Sequence, residues 1–328
     1  MNSFRIETKE EFFKILDCDE DTFTSAIKDK EKAYFKYKLK LQKKIGSRYI
    51  YGLVKDNLIY TLQKKINREI FKNILFPDCV YGFCKRRSYF DFLVSHISNN
   101  QRKHYLRLDI SDFFDSIEID DIYQCLSYYI SNDISGDDRD YILQLIVDIT
   151  TLNNHAIQGA ITSPAISNII FRSLDIRIEK YCEKIGVHYT RYADDMLFSS
   201  ESSYIHSYKF TNAIQAIISD KGFYLNRKKT LKCENEISLN GYVVGTNIRL
   251  SRKKYKSINK IIYTLTTSSF TGFKNNYHQY ITRNKLAGYR SFLIQYSRYI
   301  QDENQNKKIQ KKIETIQNLI LKYCVSSI

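Results

Sequence analysis

The chain is predicted to be an α+β protein, and three features of its 328 residues carry that expectation. Phe35, Tyr37, Leu39 and Leu41 alternate with Lys36, Lys38 and Lys40, the period of a strand with one apolar and one basic face. Val187 to Arg191 and Met196 to Ser200 read as two apolar strands around a tight turn. Ser163 to Lys184 reads as one long helix, with Pro164 suited to its first turn.

The remaining elements follow in order. Residues 1 to about 33 look helical and mixed in charge. The Lys-rich strand turns at Ile45-Gly46-Ser47 and returns over Arg48 to Val54, with Lys43, Lys44 and Arg48 near the tip. Residues 57–75 read as a helix, then Val80 to Ser88 makes a glycine turn followed by Lys85, Arg86 and Arg87. A helical stretch over 89–100 precedes a strand from Tyr105 to Ile110. Helices are expected near 120–131 and 138–152, and another near 203–221 after the paired strands. Strands near 223–233 and 237–250 come next, and the rest reads as mainly helix.

Composition narrows the class. Apolar residues are 43% and charged residues 27%, within the range of globular proteins. No uncharged apolar run approaches the ~18 residues of a membrane span, and the charged N-terminus does not read as a signal peptide. Seven scattered cysteines without a CxxC pair suggest neither a zinc site nor a disulfide frame. A reduced, cytoplasmic setting without a membrane partner is expected. The net charge is +15, and Ser251 to Ile328 holds 15 basic and 3 acidic residues. A polyanion is the natural partner of such a segment.

The chemistry concentrates at two places. Asp194 and Asp195 sit in the turn between apolar strands, whereas Asp120-Asp121 and Asp137-Asp138 lie in polar surroundings suited to helix caps or surface loops. Asp109 ends a second apolar strand, Leu106-Arg-Leu-Asp. If the two strands are neighbours, three carboxylates share one site. Such a cluster needs cations and suits hard divalent ions that keep phosphate oxygens as further ligands. Two ions roughly 3.5–4 Å apart would activate a 3′-hydroxyl and stabilise a leaving pyrophosphate. The six histidines show no ligand spacing.

Tyr192-Ala-Asp-Asp195 with the Asp109 strand resembles the catalytic palm of reverse transcriptases. Four other blocks stand in that family's order. Tyr81-Gly-Phe-Cys-Lys-Arg-Arg-Ser88 resembles a fingers block of bacterial retroelement enzymes. Ile157-Gln-Gly-Ala-Ile-Thr-Ser-Pro164 is similar to the block lining the nucleotide pocket. Gly222 to Thr230 resembles the block with a lysine near the leaving phosphates, and Leu239 to Gly245 the primer-grip hairpin.

The resemblance implies a right-hand polymerase: N-terminal region and fingers over 1–104, palm over 105–246 and a basic helical thumb over 247–328. It implies an RNA-directed DNA polymerase using two Mg2+ ions, or Mn2+, on Asp109, Asp194 and Asp195, with the Ile110 carbonyl assisting. Phe114 falls at the family's steric gate, where a ring would clash with a ribose 2′-hydroxyl and favour dNTPs. Gln158 and Gly159 would contact the incoming nucleotide. Lys229, with Lys228 adjacent, would be the general acid toward pyrophosphate. Lys44 and Arg48 would hold triphosphate or template phosphates. Lys85, Arg86, Arg87, Tyr192, Gly241, Lys253, Lys254 and Lys256 would complete the nucleic-acid surface.

The compact length is similar to retron and defence-associated reverse transcriptases. Two blocks depart from the retron pattern: Ser95 to His104 lacks Asn-Ala-x-x-His, and Leu239-Asn240-Gly241 stands where Val-Thr-Gly is usual. These departures favour a defence-associated or divergent relative. Either group implies a structured non-coding RNA as template, DNA as product, and antiphage defence, with an effector protein or a second copy as further partners. Two alternatives stay open at this point: untemplated or protein-primed DNA synthesis at the same site, and a catalytically idle RNA-binding scaffold.

Overall fold

The computed structural model describes residues 6, 8–40, 47–98, 102–130, 134, 136–267, 272–273 and 276–324. The chain packs as two compact units, Met1–Phe92 with His104–Cys233, and Leu93–Lys103 with Glu234–Ile328.

The first unit opens with helices α1 (Lys9–Leu16) and α2 (Glu20–Lys28), each started by a side-chain cap, Thr8 to the Glu11 N–H and Asp19 to the Thr22 N–H. Phe12, Phe13 and Phe23 meet edge-to-face between them. Strands β1 (Tyr34–Lys40) and β2 (Ser47–Leu53) form the expected hairpin, with Tyr34 opposite Leu53 and Lys40 opposite Ser47. Lys43 and Lys44 lie outside the described residues, and only the backbone of Arg48 is placed.

The helix expected over 57–75 is broken. It runs as α3 (Leu58–Lys65), then a π turn over Ile66–Ile70 and a 3-10 turn over Phe71–Asn73. Ile66, Ile70, Phe71 and Ile74 are all buried along this stretch. Helix α4 (Tyr89–Val94) and strand β3 (His104–Asp109) follow. Then come α5 (Ile119–Ser127), α6 (Gly136–Thr150) and the short pair β4 (Thr151–Leu152) and β5 (His155–Ala156). Helix α7 spans Ser163–Lys184 with proline in its first turn, as the sequence indicated.

Strands β6 (His188–Tyr192) and β7 (Asp195–Ser200) flank the Asp-Asp turn, and α8 (Tyr208–Ser219) follows a single 3-10 turn. The strand expected over 223–233 shrinks to β8 (Leu231–Glu234). Phe223 and Leu225 alternate inward like a strand, but Leu225 makes only an isolated bridge to Ile110 before Arg227–Lys229 coil into a 3-10 turn. The sheet order is β6-β7-β3-β8. One continuous apolar core runs from Ile6 to Leu225.

In the second unit, residues 237–250 form a meander rather than one strand: β9 (Ile237–Leu239), β10 (Tyr242–Val244) and β11 (Ile248–Leu250). Asn240 and Gly241 turn β9 into β10 with φ of 46° and 98°, the left-handed pair a two-residue hairpin requires. Helices α9 (Arg252–Thr266), α10 (Asn276–Ser297) and α11 (Glu303–Cys324) complete the unit. No described helix is long and apolar enough to cross a membrane.

Candidate active site

Strands β3 and β7 pair antiparallel with Asp109 opposite Asp195, so the two carboxylates emerge side by side at one sheet end. Asp194 joins them from the turn. Its carbonyl accepts from the Ile110 N–H at 3.1 Å, while the Asp109 carbonyl accepts from the Asn226 N–H at 2.7 Å. The backbone of all three positions is therefore pinned.

The turn needs Ala193 in the left-handed region, φ 56°, and a buried network holds it there. Arg191 donates to the Ala193 carbonyl at 3.0 Å and grips Asp175 on α7 through Nε at 2.8 Å and a second nitrogen at 2.7 Å. Tyr189 donates to the same carboxylate at 2.8 Å, and Asn168 accepts from Arg191 at 3.1 Å. Asn168 in turn donates to the Gly82 carbonyl. A Cβ on Gly82 would lie 2.4 Å from the Ala193 nitrogen, so only glycine lets that segment pass the turn so closely.

Asp109 is 1% exposed and Asp195 9%. Burial, reinforced by the Asp109 charge, pushes the Asp194 carboxyl above the usual range. Burial also raises Asp195, and Arg107 pulls it partly back. Two protein cations face the cluster. Lys229 donates to both oxygens of Asp109, at 2.7 and 3.0 Å. Lys228 is exposed and has no such contact, so Lys229 is the lysine at the carboxylates. Arg107 donates to Asp195 through Nε at 2.8 Å and reaches Asp109 at 3.6 Å. Arg107 was not among the sequence candidates. The signal was there: residues 107 and 109 share one face of a strand.

The donor set is three carboxylates and no nitrogen or sulfur, which fits a hard ion such as Mg2+ or Mn2+.

The other predicted residues fall in different places. Phe114 is half-buried, with its ring 6.3 Å from that of Phe83 and 5.4 Å from Phe113. Tyr192 packs in an aromatic cluster with Tyr89, at 5.0 Å, and Phe83. Gln158, with Lys36, Tyr51, Asp112 and Asp115, lines a cavity of about 410 Å³. Its carbonyl accepts from the Tyr51 N–H, docking β2 on this segment. Gly159, φ 120°, allows that approach, since a Cβ there would sit 1.8 Å from the Tyr51 carbonyl oxygen. Gly159→Ala is expected to displace the hairpin and, if the nucleotide contact that the resemblance implies holds, raise the KM for the incoming nucleotide about tenfold, near 1.4 kcal/mol. Steady-state kinetics will check it, beside a thermal melt that is expected to fall because φ 120° strains any side chain.

Lys85 and Arg86 are exposed. Arg87 instead holds its own loop, donating to the Pro77 and Val80 carbonyls and to Asp78. In the second unit, Lys253 and Lys256 are exposed. Lys254 lays its stem against Gly241, and its ammonium lies 4.5 Å from the Phe292 ring centre and 5.0 Å from that of Tyr289. Burial lowers its pKa, and the nearby Lys285 lowers it further.

An antiparallel sheet that gathers three carboxylates and a lysine at one end of an α+β unit points to the class of nucleic-acid polymerases. A family model described as reverse transcriptase (RNA-dependent DNA polymerase) matches residues 56–244. The chain belongs to that family. It is 28% identical over 246 residues to the Retron Ec48 reverse transcriptase of Escherichia coli, covering 70% of this chain and 58% of that protein. With the Retron Ec73 reverse transcriptase of the same organism it shares 27% identity over 294 residues, covering 85% and 88%. The chain thus spans under two thirds of the first relative and most of the second. Telomerase from Candida albicans, solved with a fragment of telomeric RNA, aligns over 94% of this chain and 66% of that one, at 12% identity and a TM-score of 0.46. The likeness to retron enzymes bears out the retron side of the resemblance, despite the two departures noted above.

Proposed function

We propose that this chain copies a bound, structured non-coding RNA into DNA at Asp109, Asp194 and Asp195, in the service of antiphage defence. The observation that carries the reading is the meeting of these three carboxylates with Lys229 at one sheet end. Two divalent ions on the three aspartates would lower the pKa of the primer 3′-hydroxyl and neutralise charge on the triphosphate. Asp109 and Asp195, fixed by strand pairing, hold their oxygens on one face. Lys229 would deliver a proton to the leaving pyrophosphate. Arg107 holds Asp195 in position. Gln158 and Lys36 border the cavity that takes the nucleotide. In this reading fingers fill 1–104, palm 105–246 and a basic thumb 247–328, whose lysines grip RNA through phosphates.

The test is nucleotide incorporation by protein purified with its co-expressed RNA, in Mg2+, with dNTPs and rNTPs separate. RNase-sensitive templating and dNTP-only product support the reading. Product that persists without RNA would replace it with untemplated synthesis.

Phe114 supplies a second prediction. Phe114→Ala removes the clash with a ribose 2′-hydroxyl, and such overpacking costs about 1–3 kcal/mol. The ratio of kcat/KM for dNTP over rNTP is expected to fall about 10- to 100-fold. An unchanged ratio would return Phe114 to a purely packing role beside Phe113.

A further inference from the structure

A second cavity, of about 550 Å³, opens on the first unit between the end of α5, the middle of α7, Leu75 and the turn after α8. None of its lining residues belongs to the strands that carry the carboxylates. Its floor includes Ile169, which is buried. Its walls include Leu75 and the phenols of Tyr128 and Tyr129, with Leu75 69% and Tyr128 73% exposed. Large apolar groups left open together at a concave site mark a binding surface.

The polar groups of this cavity are cationic. Arg172 and Lys221 line it. Arg172 is pinned by its Nε, which donates to the Leu75 carbonyl at 3.0 Å, fixing the planar fork at the wall. Lys221 makes one long contact of 3.3 Å to Asp121. A flat aromatic wall beside a fixed guanidinium and an ammonium selects a ligand that is a ring at one end and an anion at the other.

We infer that this cavity binds a nucleoside monophosphate unit, its base on Tyr128 and the apolar floor and its phosphate on Arg172 and Lys221. Base stacking on aromatic rings tolerates any base, and phosphate supplies the charge. The unit has two sources, a free nucleotide or an unpaired nucleotide splayed from a bound RNA. The ligand class follows from the cavity alone, and only the RNA source rests on the function proposed above.

The test uses the full chain in EDTA, where the catalytic carboxylates repel an anion. AMP, adenosine and inorganic phosphate are titrated separately by calorimetry. AMP is expected to saturate, with adenosine and phosphate each about tenfold weaker or more. Tyr128→Ala is expected to weaken AMP by a similar factor without moving the melting temperature, because Tyr128 is largely exposed. Arg172→Gln is expected to weaken AMP but not adenosine. Co-expressed RNA carrying 4-thiouridine is then photocrosslinked, and a crosslink on the Tyr128–Tyr129 peptide assigns the source to RNA. AMP binding without that crosslink assigns it to a free nucleotide. Failure of AMP to bind together with no crosslink, or AMP binding that Tyr128→Ala leaves intact, overturns the site. Adenosine as tight as AMP removes the anion from it, and phosphate as tight as AMP removes the base. Incorporation assays on the same preparations report on the polymerase reading independently.

Discussion

Asp194→Asn is expected to abolish nucleotide incorporation while leaving the chain as stable as before, or more so. The loss should reach at least about a thousandfold, near 4 kcal/mol, because under the proposed function Asp194 would hold a metal ion that carries transition-state charge. The stability side has a different origin. Asp194 sits half-buried beside Asp109, and burial followed by that repulsion raises its pKa. An amide of the same shape removes the cost of holding that charge there. Mg2+ should also separate the two proteins without any substrate. A ligand that binds only the folded state raises the melting temperature by mass action. The wild-type melt should rise with Mg2+, and the Asp194→Asn melt should rise much less. Equal rises would place the ion away from Asp194.

Arg191→Met is expected to be the most destabilising single change in the first unit. Arg191 and Asp175 are both 0% exposed and paired through two hydrogen bonds. Removing one partner leaves a buried charge uncompensated, at about 3–5 kcal/mol. That is a large share of the ~5–15 kcal/mol that holds a typical domain together. Removing both charges, as in Arg191→Met with Asp175→Leu, should recover much of the denaturant midpoint. It should not recover incorporation, because the Ala193 carbonyl still lacks its donor. Circular-dichroism melts beside incorporation rates will separate the two effects. Recovery of activity together with stability would make the network packing alone.

The sequence showed the site more clearly than its surroundings. Apolar runs mark β3, β6 and β7, and the Asp109 and Asp194–Asp195 positions follow from where those strands end. Proline and serine set the start of α7. What escaped depends on contacts distant in sequence. Arg107 drew no notice in the sequence, and it is β7 that brings Asp195 beside it. Arg87 looked like part of a basic surface, yet carbonyls of its own loop hold it. The π turn after Lys65 serves a core assembled by other segments, so helix periodicity alone could not show it.

The order β6-β7-β3-β8 also bears on how the enzyme is made. β3 is synthesised first yet ends in the interior, flanked by β7 and β8, so both of its neighbours arrive much later in translation. Pairings between such distant segments close slowly. A ribosome-bound chain that stops before residue 195 holds Asp109 with no partner strand. Incorporation is therefore expected only after the segment through β8 has emerged, and fragments of the first unit that end before β7 are expected to be inert.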